Sequence, residues 1–114
     1  MENYCDNLDS VFHALSDPTR RAVIQRLGER AATVGELAEP FDMALPSFMK
    51  HIGVLEASGL ITSKKTGRVR TCKIKPQKLT DAEKWFDEQR SLWEGRSNRL
   101  AEYVENLTSK EKLE

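Results

Sequence analysis

Apolar residues recur at helical spacing in the middle of the chain. Phe48, Ile52 and Leu55 fall at i, i+4 and i+7 within ALPSFMKHIGVLEASG, which predicts one helix from Ala44 with these three on its inner face. Gly59 stands just past its end as a C-cap. The next stretch, LITSKKTGRVRTCKIK, changes period, alternating on both sides of a Lys-Lys-Thr-Gly-Arg tip where Gly67 supplies the turn. Two short strands are expected, the second with Arg70, Cys72 and Ile74 on one face and Val69, Thr71 and Lys73 on the other. Ile74 should point inward, which makes Cys72 a small half-buried residue rather than a reactive thiol. A helix followed by a hairpin of this kind is the winged form of a helix-turn-helix.

Upstream, Leu8, Val11, Phe12 and Leu15 form one stripe of a short first helix. Ser16-Asp17-Pro18 ends it and starts a second, since Asp17 is a good N-cap and Pro18 fits the first helical position. Val23, Ile24 and Leu27 carry this second helix to about Gly28. Thr33-Val34-Gly35-Glu36 has the capping-box pattern and opens a short helix that Pro40 closes. This short helix, a turn from Pro40 to Met43 and the longer helix from Ala44 have helix-turn-helix spacing. In that motif the second helix enters the major groove by its N-terminal part.

Downstream, Thr80-Asp81-Ala82-Glu83 is a second capping box, predicting a long helix to about Asn106, roughly 40 Å at about 1.5 Å per residue. Phe86, Trp93, Leu100 and Leu107 recur every seven residues, and Trp85, Leu92, Tyr103 and Val104 widen the stripe. So much aromatic surface is expected to be covered, either by its own domain or by the same helix of a second subunit. The second reading is preferred, because the compact core lies elsewhere in the chain. After Thr108 the tail SKEKLE should fray. The predicted class is therefore mainly α with a small β-hairpin: five helices plus a two-stranded wing. It makes one domain over 1–114, with a core and wing over 8–79, a dimerisation helix over 80–107 and a frayed tail over 108–114.

Charge sharpens this picture. The total is zero, yet from Ala44 to Lys75 seven bases (Lys50, Lys64, Lys65, Arg68, Arg70, Lys73 and Lys75) face one acid, Glu56, a local balance of +6. The segments before and after carry −4 and −2. One basic face on an otherwise acidic chain is the electrostatic footprint of phosphate binding. With Phe48, Ile52 and Leu55 turned inward, the other face of their helix offers Leu45, Pro46, Met49, Lys50 and Gly53, flanked by Ser47 and His51. Lys50 has a donor for guanine or phosphate, whereas Leu45 and Met49 have only apolar contacts to give, for example to a thymine methyl. Gly53 in mid-helix costs about 1 kcal/mol relative to Ala; close approach of backbone or DNA would explain it, and so would drift. Lys64, Lys65 and Arg68 at the expected tip suit phosphate or the minor groove. His51 is either a hydrogen-bonded structural residue or, as the better functional reading, a phosphate contact. Arg20 and Arg21 read either as solvated surface charge or as braces on the DNA backbone.

Other chemistry finds little support. There is no nucleophile–base pair, no paired carboxylate in an apolar setting, no phosphate-cradling glycine loop and no metal-ligand spacing, so neither catalysis nor a cofactor is expected. No apolar run approaches the ~20 residues that span a bilayer, nor does a signal segment open the chain, so a cytoplasmic protein is expected. The two cysteines, Cys5 and Cys72, are too few for a disulfide framework.

The segment HALSDPTRRAVIQRLGERAATVGELAEPFDMALPSFMKHIGVLEASGLITSKKTGRVRTCKI resembles the ArsR/SmtB family of bacterial winged-helix repressors. The runs ALSDPTRR, KHIGVLEASGLI and GRVR carry the likeness, which covers roughly 13–79, and the aromatic last helix matches a metal-free branch. The resemblance implies a homodimer joined through its first and last helices, which adds Leu8 and Phe12 to the dimerisation set of Trp85, Phe86, Trp93, Leu100, Tyr103 and Leu107. It also implies a near-palindromic operator with half-sites about one helical turn apart, and repression relieved by an effector whose identity is open. Metal-sensing members pair cysteines where this chain has Glu36-Leu37-Ala38-Glu39, or Asp/His on the last helix, where this chain has no histidine. A usual serine is Met49 here, and Gly53 replaces a common basic residue. Two other readings stand beside a metal-independent repressor: a thiol-redox-responsive regulator using Cys5 and Cys72, and a winged helix that docks a protein without reading DNA.

Overall fold

The computed structural model describes the backbone of residues 4–113 and the side chains of 8–95 and 99–107. Among these residues five helices and three strands follow in the order α1 (Tyr4–Leu15), α2 (Pro18–Leu27), β1 (Ala32–Thr33), α3 (Val34–Ala38), α4 (Leu45–Ala57), β2 (Ile61–Thr66), β3 (Val69–Ile74) and α5 (Pro76–Leu113). The chain divides into two compact units, Met1–Ala82 and Glu83–Glu114.

In the first unit, α2 packs against α1, α4 and β3, and α4 packs against β2. Phe48, Ile52 and Leu55 are buried on the inner face of α4, as their spacing predicts, together with Val11, Val23, Leu27, Leu37 and Leu60. The turn before α4 is pinned by Phe41, whose ring stacks on Phe48 at a centroid separation of 5.6 Å. Thr33 and Glu36 make the expected capping box at the start of α3. Asp17 accepts from the Arg20 N–H at the start of α2, and Pro18 follows in the first turn.

α4 ends in a glycine-dependent lock. Gly59 has φ +83, the Gly59 N–H donates to Glu56 O at 3.0 Å and the Leu60 N–H to Leu55 O at 3.2 Å, the paired bonds of a Schellman motif. A Cβ at Gly59 would also lie 3.1 Å from the Lys78 side chain, which would have to give way by a few tenths of an ångström, so it is the backbone conformation that calls for glycine.

Five expectations are corrected. The sheet has a third strand: β1 pairs antiparallel with β3, Ala32 opposite Cys72 and Thr33 opposite Thr71, giving the order β1-β3-β2. Cys72, paired with both neighbours, is fully buried rather than half-buried. The hairpin turn is tighter than expected, because β2 runs to Thr66 and only Gly67 (φ +64) and Arg68 lie outside the ladder. Lys64 and Lys65 are thus strand residues on opposite faces of the sheet, not tip residues. α5 begins at Pro76, not Thr80, and the Thr80 hydroxyl donates back to Pro76 O at 3.1 Å from inside the helix instead of capping it. The helix continues to Leu113, past the end expected near Asn106, so the backbone of 108–113 is helical where a frayed tail was expected, and residue 114 lies outside the described residues.

Leu8 is also reassigned. It is 4% exposed, so its side chain belongs to the core of its own chain rather than to a partner. Phe12 and Trp85 are half-buried. In the second unit Phe86, Leu92, Trp93, Leu100, Tyr103, Val104 and Leu107 are all exposed, Trp93 at 70%.

Candidate nucleic-acid interface

The start of α4 offers its outward face to solvent. Leu45, Pro46, Ser47, Lys50 and Gly53 are exposed, and Met49 is half-buried between them and the core. Ala44 supplies the N-cap backbone but no side-chain cap, and Pro46 sits in the first turn where its missing N–H breaks no bond. A Cβ added at Gly53 would meet nothing within 4 Å, so no close approach within the chain demands glycine there.

The wing closes one side of this face. A concave surface of about 580 Å³ is lined by Thr33, Val34 and Gly35 at the start of α3, Leu45 and Met49 of α4, and Lys65, Arg68, Val69 and Arg70 of the wing. Lys65 and Arg70 are register partners on β2 and β3, so both side chains leave the sheet on the side that faces α4. Lys64 leaves it on the other side, in a smaller depression with Thr62, Thr66, Thr71 and Lys73. The sequence grouped Lys64, Lys65 and Arg68 together; the register divides them between two surfaces.

Arg70 is tied into the scaffold. Its Nη1 donates to Ser63 Oγ at 2.8 Å, and Ser63 Oγ donates to Glu56 Oε1 at 2.9 Å, which links the wing to the last turn of α4. No periodicity marks Ser63 for this role, because it depends on which residues pair across the hairpin.

Arg20 has a role that neither sequence reading supplied. It is only 9% exposed. Its Nε donates to Ala14 O at 2.6 Å, its Nη2 to His13 O at 3.1 Å, and its Nη1 lies 3.1 Å from His51 Nδ1. One guanidinium therefore joins the end of α1, the start of α2 and the middle of α4, and is neither solvated surface charge nor a free brace for DNA. Arg21 stays exposed and donates to Leu15 O at 2.8 Å. Asp17 completes the cluster, with Oδ2 3.7 Å from His51 Nδ1. Burial pushes the Asp17 carboxyl up, but the Arg20 N–H bond, the charges of His51 and Arg20 and the Thr19 N–H outweigh it and leave it below the usual carboxylate range.

The remaining chemistry is inert by position. Burial, helped by the Glu56 charge and opposed by Arg70, pushes the Cys72 thiol up, which keeps it from the thiolate form that reacts. The Cys5 side chain lies outside the described residues. Among the described residues no three His, Cys, Asp or Glu side chains gather as a metal would require. Glu36, in the run where metal-sensing relatives place cysteines, is held by the Thr33 N–H and hydroxyl and lies 3.8 Å from Arg26 Nη2. Among the described residues no helix is long and apolar enough to cross a membrane.

With this geometry established, comparison with known proteins places it. A Helix-turn-helix domain family matches residues 15–64. The transcriptional repressor SdpR of Bacillus subtilis (strain 168) is 31% identical over 79 residues, which are 69% of this chain and 88% of that protein. A crystal structure of an ArsR family transcriptional regulator is 58% identical with a TM-score of 0.78, covering 82% of this chain and 97% of that one. The chain belongs to the ArsR/SmtB family of transcriptional regulators. The homodimeric winged helix-turn-helix DNA-binding domain Mb0332 of Mycobacterium bovis shares the fold at a TM-score of 0.60 and 19% identity, over 77% of this chain and 83% of that one.

As an ArsR-family chain, it has a helix-turn-helix in α3 and α4 and a wing in β2 and β3. Regulators of this family bind DNA and are not enzymes. The wing stands beside the start of α4, so Leu45, Met49, Lys65 and Arg68 share one concave surface, with Ser47 and Lys50 exposed in the same first turns.

Proposed function

We propose that the chain acts as a homodimeric repressor that binds near-palindromic duplex DNA through α4 and the wing, without a metal effector. The observation that carries this reading is the concave surface lined by Leu45 and Met49 of α4 and by Lys65 and Arg68 of the wing, within a stretch of net charge +6. An apolar pair set beside long cations suits a major-groove floor flanked by phosphates. The described residues offer no alternative chemistry, neither a metal cluster nor an exposed thiol at Cys72.

Dimerisation is supported by the exposed stripe of α5. Phe86, Trp93, Leu100 and Leu107 at seven-residue spacing are all exposed, a row of large apolar side chains of the kind that marks a contact surface. A second copy of the same helix presents the same spacing, which is what a two-helix seam requires. Phe12 and Trp85, both half-buried, remain candidates for contact with a second copy, whereas Leu8 does not.

The test is a salt series of binding to duplex DNA taken from immediately upstream of the protein's own gene, with scrambled DNA of equal length as control. Preference for the upstream duplex, with affinity falling steeply as salt rises, is expected because Lys and Arg release condensed counterions when they neutralise phosphates. Equal affinity for both duplexes would reduce the site to a basic patch. No binding to either would remove the DNA-reading role and favour a protein-docking winged helix.

A further inference from the structure

The Arg20–His51 contact decides which nitrogen of His51 carries a proton. A guanidinium has five N–H donors and no acceptor. With Arg20 Nη1 3.1 Å from His51 Nδ1, the ring nitrogen must be the acceptor while the imidazole is neutral, and its one proton then sits on Nε2. The competing partner, Asp17 Oδ2, is 3.7 Å from the same nitrogen, beyond hydrogen-bond range. Arg20 is itself fixed on its other nitrogens by Ala14 O and His13 O, so it cannot turn away without breaking two bonds to the end of α1.

The other ring nitrogen is left open. Among the described residues Nε2 has no hydrogen-bond partner, no partnerless side-chain nitrogen is buried, and the ring keeps 22% of its surface. His51 follows Lys50 directly on α4 and lies one helical turn after Ser47, on the flank of the outward face. We infer that Arg20 is a positioning residue for DNA binding: by donating to Nδ1 it holds His51 in the Nε2–H tautomer, and Nε2–H is the donor that the flank of α4 offers to a DNA backbone phosphate. This rests on the DNA-binding reading above and adds to it a residue buried in the core.

Two amide side chains separate the two ring nitrogens. Asn at position 51 places an acceptor where Nδ1 meets Arg20 but does not reach as far as Nε2; Gln reaches to Nε2 with a donor but leaves Nδ1 unreplaced. His51→Asn is expected to keep most of the thermal stability and to lose at least about tenfold in affinity for the upstream duplex, the scale of one hydrogen bond to a charged group. His51→Gln should show the reverse pattern, binding DNA but melting earlier. Nitrogen NMR of the full-length protein reads the tautomer directly, with His13→Gln to assign the signals. The wild type and Arg20→Lys should show a bare Nδ1 and a protonated Nε2, while Arg20→Met should show a mixture of tautomers.

A wild-type spectrum with Nδ1 protonated overturns the positioning role whatever the DNA result. Wild-type binding with an unaffected His51→Asn variant overturns the phosphate contact while leaving the DNA-reading role intact. Failure of the wild type to bind either duplex sinks that role itself, and the phosphate contact with it.

Discussion

Arg70 of β3 donates to Ser63 of β2 at 2.8 Å, although the two are not register partners. Ser63 sits opposite Cys72 and Arg70 opposite Lys65, so the bond runs diagonally across the hairpin on the face turned to α4, and Ser63 passes it on to Glu56. Lys65 and Arg68 make no such bond among the described residues. The basic side chains of the wing therefore divide into one that holds the wing in place and others free to move onto a phosphate.

That division predicts different salt behaviour. Arg68→Ala is expected to lower the slope of log affinity against log salt by about one for each phosphate that the arginine neutralises. Arg70→Ala should change the slope less and cost more stability, about 1–2 kcal/mol, because Ser63, which bonds on to Glu56, loses a charged hydrogen-bond donor. Salt titrations and urea unfolding of the two variants decide it. Equal slope changes with no stability difference would return Arg70 to the set of simple phosphate contacts.

How far the sequence discloses this site follows from what each contact depends on. The inner face of α4 is legible, since Phe48, Ile52 and Leu55 repeat with the helix, and the caps at Asp17 and Thr33 are legible, since each bonds three residues ahead. Arg20 is not, because two of its acceptors are the backbone carbonyls of His13 and Ala14, which any residue would present. β1 is two residues long, too short for alternation to show. Thr80-Asp81-Ala82-Glu83 reads as a helix start only while the helical residues from Pro76 go unrecognised. Leu8 shows the commonest ambiguity, since an apolar stripe looks the same whether its own core or a second subunit covers it.

Acid should weaken the Asp17 cluster. The folded carboxyl titrates below its unfolded value, so its contribution is present above the unfolded pKa, about 3.9, and is lost as pH falls through the folded value. Glu36, lowered by the Thr33 N–H and hydroxyl, has the same sign. Stability by urea unfolding is expected to be flat near neutrality and to fall below about pH 4–5. Asp17→Ala should cost about 0.5–2 kcal/mol at neutral pH, the worth of an N-cap, and make the acid limb shallower. An acid limb of wild-type steepness in that variant would assign the loss to other groups.

Gly53 offers a change with opposite effects on stability and binding. It sits on the outward face of α4, one helical turn after Met49 and two after Leu45, and an added methyl meets nothing in the chain. Gly53→Ala is expected to stabilise the fold by about 1 kcal/mol, from helix propensity alone. It should also weaken binding to the upstream duplex, because the methyl would stand where DNA backbone approaches. Calorimetric melting and the DNA titration check the two halves separately. A variant that melts later and binds as tightly as wild type would show that this part of α4 stands clear of the DNA.

Leu8 and Trp93 should fail in different ways when altered. Leu8→Ala removes a side chain buried in its own core and is expected to cost about 2–5 kcal/mol, with no change in subunit number for the protein that remains folded. Trp93→Glu puts a charge on the most exposed large apolar side chain of the α5 stripe, where the monomer bears no penalty but a two-helix seam would bury an unpaired carboxylate. Light scattering during size exclusion should give about twice the chain mass for the wild type and for Leu8→Ala, and the single-chain mass for Trp93→Glu. If Trp93→Glu stays at the wild-type mass, the contact between copies lies off this stripe. If the wild type itself runs at the single-chain mass across the concentrations tested, the homodimer is wrong.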